Sequence, residues 1–297
     1  MTTLLLVNPA AGHGRARRVA AEVKAAVQEA WGRVDALESA APGHAVDLAR
    51  QAAEVGVARI LVVGGDGTVH EAVNGVLQAR GDARPPVAVI PAGTGNDFAK
   101  LIRTLGHRPV DAVRRLARGL VRRLDVGHAW GEYFVNSIGI GFDAEVARLV
   151  NQSTRGRGLA VYLWAVARVI RRYRAFEAQV TADDRTFTDR LLLLEIGNGP
   201  VVGGGFRLTP FAVPDDGILD VCAIRHLSAA GILAKLPLAM LGRHTGLRQV
   251  RSFRATRVEV RSGEGILQAQ LDGELRARSD RVEVRIAPAA LPVIVAV

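Results

Sequence analysis

Three short stretches place glycines, small hydroxyls and a carboxylate where a chain could handle phosphate: "NPAAG" at 8–12, "GGDGTVHE" at 64–71 and "PAGTGNDFA" at 91–99. In each, an apolar run ends in a Gly-rich turn and a helical pattern follows. Glycines let backbone N–H groups approach an anion without a Cβ in the way. A helix that starts beyond the turn adds free N–H groups and the positive end of its dipole. Asp66 is the discordant residue, because a carboxylate repels a bare phosphate. It becomes intelligible if it meets Mg²⁺ travelling with the phosphates, directly or through water. Thr68 and Glu71 have capping-box spacing, which predicts a helix beginning near Thr68 and running to Leu77. The plainer alternative is a tight strand-to-helix corner in which Asp66 is only a turn residue. Short Gly-rich motifs recur by chance, so "GGDGT" alone does not decide. Neither a Gly-Lys-Ser/Thr phosphate loop nor the dinucleotide glycine spacing is present.

The elements that must hold these turns are legible upstream and downstream of them. "TLLLVNP", "VDALES", "ARILVV" and "PVAVIP" read as strands, separated by the helical patterns "GRARRVAAEVKAAVQEAW" and "GHAVDLARQAAEVG", the latter closed by Gly56. Alternating strands and helices predict an α/β domain with a parallel sheet flanked by helices, its polar turns gathered at the carboxyl ends of the strands. After about Asp125 the pattern changes to short strand-like runs, among them "YFVNSIGIGFDAEVA", "TDRLLLLEIGNG" and "RVEVRIAP", interrupted by helical stretches Leu159–Arg172 and Ala229–Leu241. The expectation is a domain over 1–125 and a β-rich, sandwich-like domain over 126–287. The closing 288–297, "LPVIVAV" included, returns to the first.

The 297 residues carry 39 Lys and Arg against 29 Asp and Glu, a net charge of +10, almost all of it from arginine. That favours anionic partners without choosing among them. Aromatics make up only 5%, so a nucleic-acid role would rest on charge alone. Cys222 is the only cysteine, which excludes an internal disulfide, and its apolar neighbours read it as a small strand hydrophobe. The apolar run at the start is too short for a signal peptide, and no run is long enough to span a bilayer. These features predict a cytoplasmic protein with peripheral membrane contact at most. The histidines have no zinc-site spacing. Three stretches could dock on an anionic bilayer: the helix from Leu159, with Tyr162, Leu163, Val166, Val169 and Ile170 beside several arginines; "GILAKLPLAMLGRH", where Pro237 would kink or interrupt the helix; and "RRLARGLVRR" at 114–123. Packing of these helices on the β domain is the commoner outcome.

Taken together, the three turns, "NSIGIGFDAEV" at 136–146, "GNGPVVGGGFRLTPFAVPDDGILDV" at 197–221 and "LDGE" at 271–274 resemble the diacylglycerol kinase catalytic-domain family, which includes bacterial lipid kinases and is related to sphingosine and ceramide kinases. The blocks occur in the family's order and cover nearly the whole chain. The resemblance implies ATP and Mg²⁺ in a cleft between the two domains, with a lipid substrate met at a membrane surface. It implies nucleotide contacts from Asn8, Pro9, Ala10, Ala11, Gly12, Ser39, Gly64, Gly65, Asp66, Gly67, Thr68, Val69, His70 and Thr94. His70 departs from the family's usual Asn, and Ser39 stands for its usual Thr. "LDGE" maps onto the catalytic acid: Glu274 as the base that deprotonates a lipid hydroxyl, Asp272 as a supporting group. The bland alternative is an Asp-Gly hairpin with solvated acids. A second, structural Mg²⁺ is implied at Asp216 with the backbone carbonyls of Val213 and Ile218, against a plain Asp-Asp-Gly turn. The rival readings are an NAD kinase, which shares "GGDGT" but should lack the block at 197–221, and a non-enzymatic basic nucleotide- or nucleic-acid-binding protein. The lipid's identity and a homodimer are left open.

Overall fold

The computed structural model describes residues 2–81, 84–106, 108–153, 159–263, 265–276 and 279–296. The chain forms two compact units, Met1–Leu124 with Ala289–Val297, and Asp125–Pro288.

In the first unit the elements are β1 (Thr3–Val7), α1 (Ala11–Trp31), β2 (Val34–Glu38), α2 (His44–Glu54), β3 (Arg59–Gly64), α3 (Asp66–Gln78), β4 (Val87–Pro91), α4 (Asp97–Leu101) and α5 (Pro109–Ala117). The strands run parallel in the order β2-β1-β3-β4. Both faces of the central strands are covered. Leu5, Val7, Leu61 and Val63 pack with residues of α1 and α5, while Leu4, Leu6, Ile60 and Val62 are buried toward the opposite face. This explains why the strands read as continuous apolar runs. Near the C-terminus Val293 pairs in parallel with Val87 of β4, so the closing segment belongs to this unit's sheet.

The second unit is mainly antiparallel. Its elements are β5 (Leu120–Ala129), which enters it from the first unit, β6 (Glu132–Phe134), β7 (Ser137–Gly141), α6 (Phe142–Gln152), α7 (Leu159–Val169), β8 (Phe176–Ala182), β9 (Arg185–Gly197), β10 (Leu219–Arg225), α8 (Ala229–Met240), β11 (Val250–Ala255), β12 (Arg257–Ser262), β13 (Ala269–Leu271), β14 (Glu274–Arg276) and β15 (Arg281–Val295), which ends in the first unit. The strand order is β14-β13-β7-β9-β8-β12-β15, and β10 pairs with both β9 and β11. The long β9 makes this possible: residues 185–191 pair with β8, and 193–197 are shared by β7 and β10. One apolar core lies among the strands. A second lies under α6, α7 and α8. Cys222 is buried in that second core, where burial pushes its thiol up to about 12, fitting an inert small hydrophobe.

Two local expectations are corrected. "IGIGFDAEVA" is not one strand: β7 stops at Gly141, whose φ of 92° breaks the extended chain, and α6 begins at Phe142. The helix α8 runs through Pro237 without interruption. The apolar side of α7 takes the commoner of its two expected outcomes and is packed inward, with Ala165, Val166, Val169 and Ile170 buried; among its described side chains Trp164 is a large apolar group left exposed. The side chain of Leu159, expected on that face, lies outside the described residues. No helix among the described residues is long and apolar enough to cross a membrane.

Candidate active site

In the first unit β1, β3 and β4 are neighbours, so their carboxyl ends bring the turns at 8–14, 64–67 and 92–96 to one edge of the sheet. The turns touch through glycines. A Cβ on Gly93 would lie 2.4 Å from Gly65 Cα, and one on Gly12 would lie 2.0 Å from the Ala92 carbonyl oxygen. Glycine is therefore required here first by turn-on-turn packing, and the thin backbone is a consequence of it. Gly12, His13 and Gly14 all have positive φ, at 59°, 58° and 79°, so regular α1 geometry begins only at Arg15. A left-handed non-glycine residue such as His13 is held at some energetic cost.

Side chains brace the same edge. Asn8 donates through Nδ2 to the Thr68 hydroxyl at 3.0 Å and accepts the Ala10 N–H at 3.0 Å. Asn96 accepts the Gly93 N–H at 3.1 Å and donates to the Gly93 carbonyl at 2.9 Å. Asp66 Oδ1 accepts the Phe98 N–H at 3.3 Å, which ties the second turn to the first turn of α4. The expected capping box is absent. The helix α3 starts at Asp66, Thr68 lies inside it, and Glu71 instead accepts the N–H groups of Gly43 and Ala45 at 2.8 and 3.1 Å, capping α2.

The expected nucleotide residues fall into two sets. Pro9, Ala10, Ala11, Gly12, Gly65, Asp66, Gly67 and Thr94 are at least partly accessible, as is Asn8. Ser39, Gly64, Thr68, Val69 and His70 are buried. His70 packs beside Asn74, whose amide donates to the His70 carbonyl at 2.9 Å. The side chains of Val69 and His70 are thus interior to the helix, so a nucleotide contact from these positions would fall to their backbone. The accessible set is backbone N–H, one hydroxyl and one carboxylate beside the N-terminus of α3. That donor set fits a polyphosphate accompanied by a cation.

In the second unit "LDGE" is the turn of the β13–β14 hairpin, with Leu271 opposite Glu274. Asp272 and Gly273 both have positive φ, 49° and 91°, the two-residue geometry that Asp-Gly favours. The Asp272 side chain is not a solvated acid. It is buried, with Oδ2 accepting the Val135 N–H at 2.9 Å and Oδ1 accepting those of Asn136 and Ser137 at 2.8 and 3.2 Å. Asp272 is thereby a positioning group that locks the turn. Glu274 is half-buried and has no hydrogen-bond or ion-pair partner among the described residues, which leaves its carboxylate available.

Two acids that motif reading passed over lie behind this turn. A Cβ on Gly139 of β7 would lie 2.4 Å from Asp143 Oδ2 and 2.8 Å from Glu195 Oε2, so both reach the same point. Glu195 is wholly buried and neither oxygen has a hydrogen-bond partner of normal geometry. Burial first, and then the charge of Asp143, hold its carboxyl well above the usual range; burial likewise raises Asp143. The one available signal was a lone acid in the apolar run "LLLLEIG". Beside Asp143 an apolar cavity of about 70 Å³ opens beneath α6, α7 and α8, lined among others by Phe142, Tyr162, Val166, Phe206, Ile232 and Leu236.

The expected structural cation fits poorly. Asp216 faces the Arg254 guanidinium, and Asp220 lies 3.7 Å from the same group. The turn is closed by protein groups: Asp125 accepts the Gly217 N–H at 2.6 Å, and Asp216 Oδ1 accepts the Ile218 N–H at 3.2 Å. Among the described residues no three His, Cys, Asp or Glu side chains converge on one point. In this structure the Asp216 carboxylate of that turn thus pairs with arginine, and the implied cation site of Asp216 with the Val213 and Ile218 carbonyls stays an expectation of the family resemblance.

A two-unit chain with Gly-rich turns at a parallel-sheet edge and a β-sandwich bearing a half-buried acid on a hairpin is the class these observations define. The family model described as "Diacylglycerol kinase catalytic domain" matches residues 2–129, and that described as "YegS C-terminal NAD kinase beta sandwich-like domain" matches 136–295. The chain belongs to the diacylglycerol kinase catalytic-domain family, with a YegS-type C-terminal domain. A Bacillus subtilis diacylglycerol kinase is 28% identical over 271 residues, 91% of this chain and 88% of its own. A Chromohalobacter salexigens protein named "Probable lipid kinase YegS-like" is 34% identical over 189 residues, 63% of this chain and 60% of its own length. A crystal structure of a Bacillus anthracis protein provisionally named a diacylglycerol kinase superposes with TM-score 0.82 at 25% identity, covering 99% of this chain and 96% of that one.

Proposed function

We propose that this chain is an ATP-dependent lipid kinase that transfers the γ-phosphoryl group of ATP to the hydroxyl of diacylglycerol or a related lipid alcohol. The observation that carries the reading is the pairing of roles at the β13–β14 hairpin: Asp272 is consumed by three backbone N–H groups, and Glu274, two residues on, has no hydrogen-bond or ion-pair partner among the described residues. A rigid turn presenting one acid without a partner among the described residues suits general-base catalysis. The apolar cavity in the same unit suits an acyl chain. At about 70 Å³ it accepts only part of a long chain, so a lipid tail must widen it.

In this reading the backbone N–H groups at 10–12, 65–67 and 93–95, with the Thr94 hydroxyl, hold the phosphates of ATP. Mg²⁺, when bound, neutralises charge that builds on them. Asp66 orients that cation from the start of α3. Glu274 accepts the proton of the lipid hydroxyl as its oxygen bonds to the γ-phosphorus. The bond from that phosphorus to the bridging oxygen breaks, ADP leaves with the bond's electron pair, and Glu274 later releases its proton to water. Peripheral membrane contact is assigned to α8, whose inner face lines the cavity while Leu233, 53% exposed, points outward, with Leu241, 63% exposed, just beyond its end.

The test is incubation with radiolabelled ATP and Mg²⁺ against diacylglycerol, monoacylglycerol, ceramide, sphingosine and phosphatidylglycerol in mixed micelles, with NAD as a separate acceptor. A labelled lipid phosphate is expected; labelled NADP with no labelled lipid contradicts the proposal.

A further inference from the structure

The helix α6 touches both the apolar cavity and the hairpin that carries Glu274. Phe142, Asp143 and Val146 line the cavity from its first turn. From the same turn Asp143 Oδ2 accepts the side-chain N–H of Gln270 at 2.9 Å. Gln270 Oε1, at the other end of that amide, accepts the Gly273 N–H. From the last turn of α6, Asn151 donates to the Gly273 carbonyl at 3.0 Å. Gly273 is thus gripped at both its N–H and its C=O, one residue before the candidate base. On the cavity side, Tyr162 of α7 donates its hydroxyl to Asp143 Oδ1, and its ring packs 5.1 Å from that of Phe206, tilted by 42°, also in the cavity wall.

The chain of contacts asks for glutamine at 270. One end of the group must donate to a carboxylate and the other must accept from an amide. Asparagine has this chemistry but is one methylene shorter. Glutamate has no donor when ionised, and would set a further negative charge against Asp143, with Glu195 and Asp272 close by. Buried polar chains of this kind are costly when half satisfied, so each link fixes its neighbours.

We propose that Gln270 is a positioning residue for phosphoryl transfer, coupling occupancy of the apolar cavity to the placement of Glu274 through Tyr162, Asp143 and Gly273. A hydrocarbon chain entering the cavity meets Tyr162 and Phe142, settles the Asp143 carboxylate, and through Gln270 tightens the hairpin. The enzyme then commits its base only when the acceptor is a lipid. The proposal rests on the lipid kinase reading for its catalytic consequence, but the coupling itself is independent of that reading.

The experiment uses the full chain in two arms. Hydrogen exchange of the segment 270–274 is measured with and without dioctanoylglycerol, and kcat, acceptor KM and ATP affinity are measured for Gln270→Met, Gln270→Glu and Tyr162→Phe. Added dioctanoylglycerol should slow exchange in the wild type and leave it unchanged in Gln270→Met. That variant should lose about a hundredfold in kcat, the order of an ångström-scale misplacement, with ATP affinity kept. The activity of Gln270→Glu relative to wild type at the same pH should rise as pH falls, since the protonated acid can again donate to Asp143. Tyr162→Phe and Gln270→Met should combine non-additively in kcat. Slowed exchange in a wild type that phosphorylates no lipid would remove the kinase reading and keep the coupling. An active wild type whose exchange ignores dioctanoylglycerol, or a folded Gln270→Met with kcat within about twofold of wild type, would overturn the coupling. An activity loss that merely follows the fraction unfolded would overturn it too.

Discussion

Asp272 and Asn136 are joined across 136 residues of chain by a hydrogen bond of 2.8 Å, the Asn136 N–H donating to a buried carboxylate oxygen. Two further N–H groups, from Val135 and Ser137, complete the grip. The neighbouring acid, Glu274, makes no such bond among the described residues. Two acids two residues apart thus sit in opposite environments.

Their substitutions should separate accordingly. Asp272→Ala orphans three buried donors and should lower stability by about 2–4 kcal/mol. Glu274→Ala should change stability by less than about 0.5 kcal/mol while removing nearly all phosphoryl transfer. Urea midpoints with parallel activity assays check both. A destabilised Glu274→Ala, or a stable Asp272→Ala, would reverse the assignment.

The buried acids predict a pH dependence of definite sign. Glu195 and Asp143 titrate above their ordinary values in the folded chain, chiefly through burial. From about the unfolded glutamate value of 4.5 upward, the unfolded chain has lost protons that the folded chain keeps. The Glu195 contribution is therefore fully present below that value and is lost as pH rises toward the folded pKa, and that of Asp143 begins to be lost from its own unfolded value of 3.8. Glu195→Gln removes one such group, so its stability should fall less with pH than that of the wild type. The gap in urea midpoint should widen in the variant's favour between acid and neutral pH; a gap independent of pH would show that Glu195 does not hold its proton.

Gly93 tests the packing of the phosphate turns. A methyl group there must sit 2.4 Å from Gly65 Cα, so Gly93→Ala should push the two turns apart. The expected cost is about 1–3 kcal/mol in stability, with a larger proportional loss in nucleotide affinity. Fluorescent ATP-analogue titration beside thermal unfolding measures both, and unchanged affinity would mean these turns do not hold nucleotide.

The outer face of α8 should matter only at an interface. Leu233→Asp should abolish sedimentation with anionic phospholipid vesicles while leaving turnover of a short-chain, water-soluble diacylglycerol near the wild-type level. Vesicle binding that survives the substitution would move the dock elsewhere.

Periodicity made the parallel sheet of the first unit legible, because its strands are buried on both faces and end at glycine turns. The same reasoning misplaced the cap of α3. Thr68 and Glu71 have the right spacing, but Glu71 is drawn to Gly43 and Ala45, a tertiary contact that local spacing cannot carry. Gly-rich "IGIGFDAEVA" hid α6 because its glycines and isoleucines alternate like a strand. The candidate base was legible only through motif resemblance. Asp143, Glu195 and Gln270 were not, since their meeting depends on the register of β7 with β9 and β13. The basic, apolar α7 left membrane docking and packing both open in sequence, with packing the commoner outcome, and most of its apolar side closes the second core.

The central claim is that Glu274 takes the proton of a lipid hydroxyl while ATP is held by the Gly-rich turns. The most direct measurement compares wild type and Glu274→Gln for labelled phosphate transfer from ATP to diacylglycerol in mixed micelles, with ATP affinity measured on the same preparations. Lipid phosphate from the wild type, loss of at least about a hundredfold in Glu274→Gln and unchanged ATP affinity are predicted. Equal rates in the two proteins, or phosphate appearing on NAD and on no lipid, would contradict it.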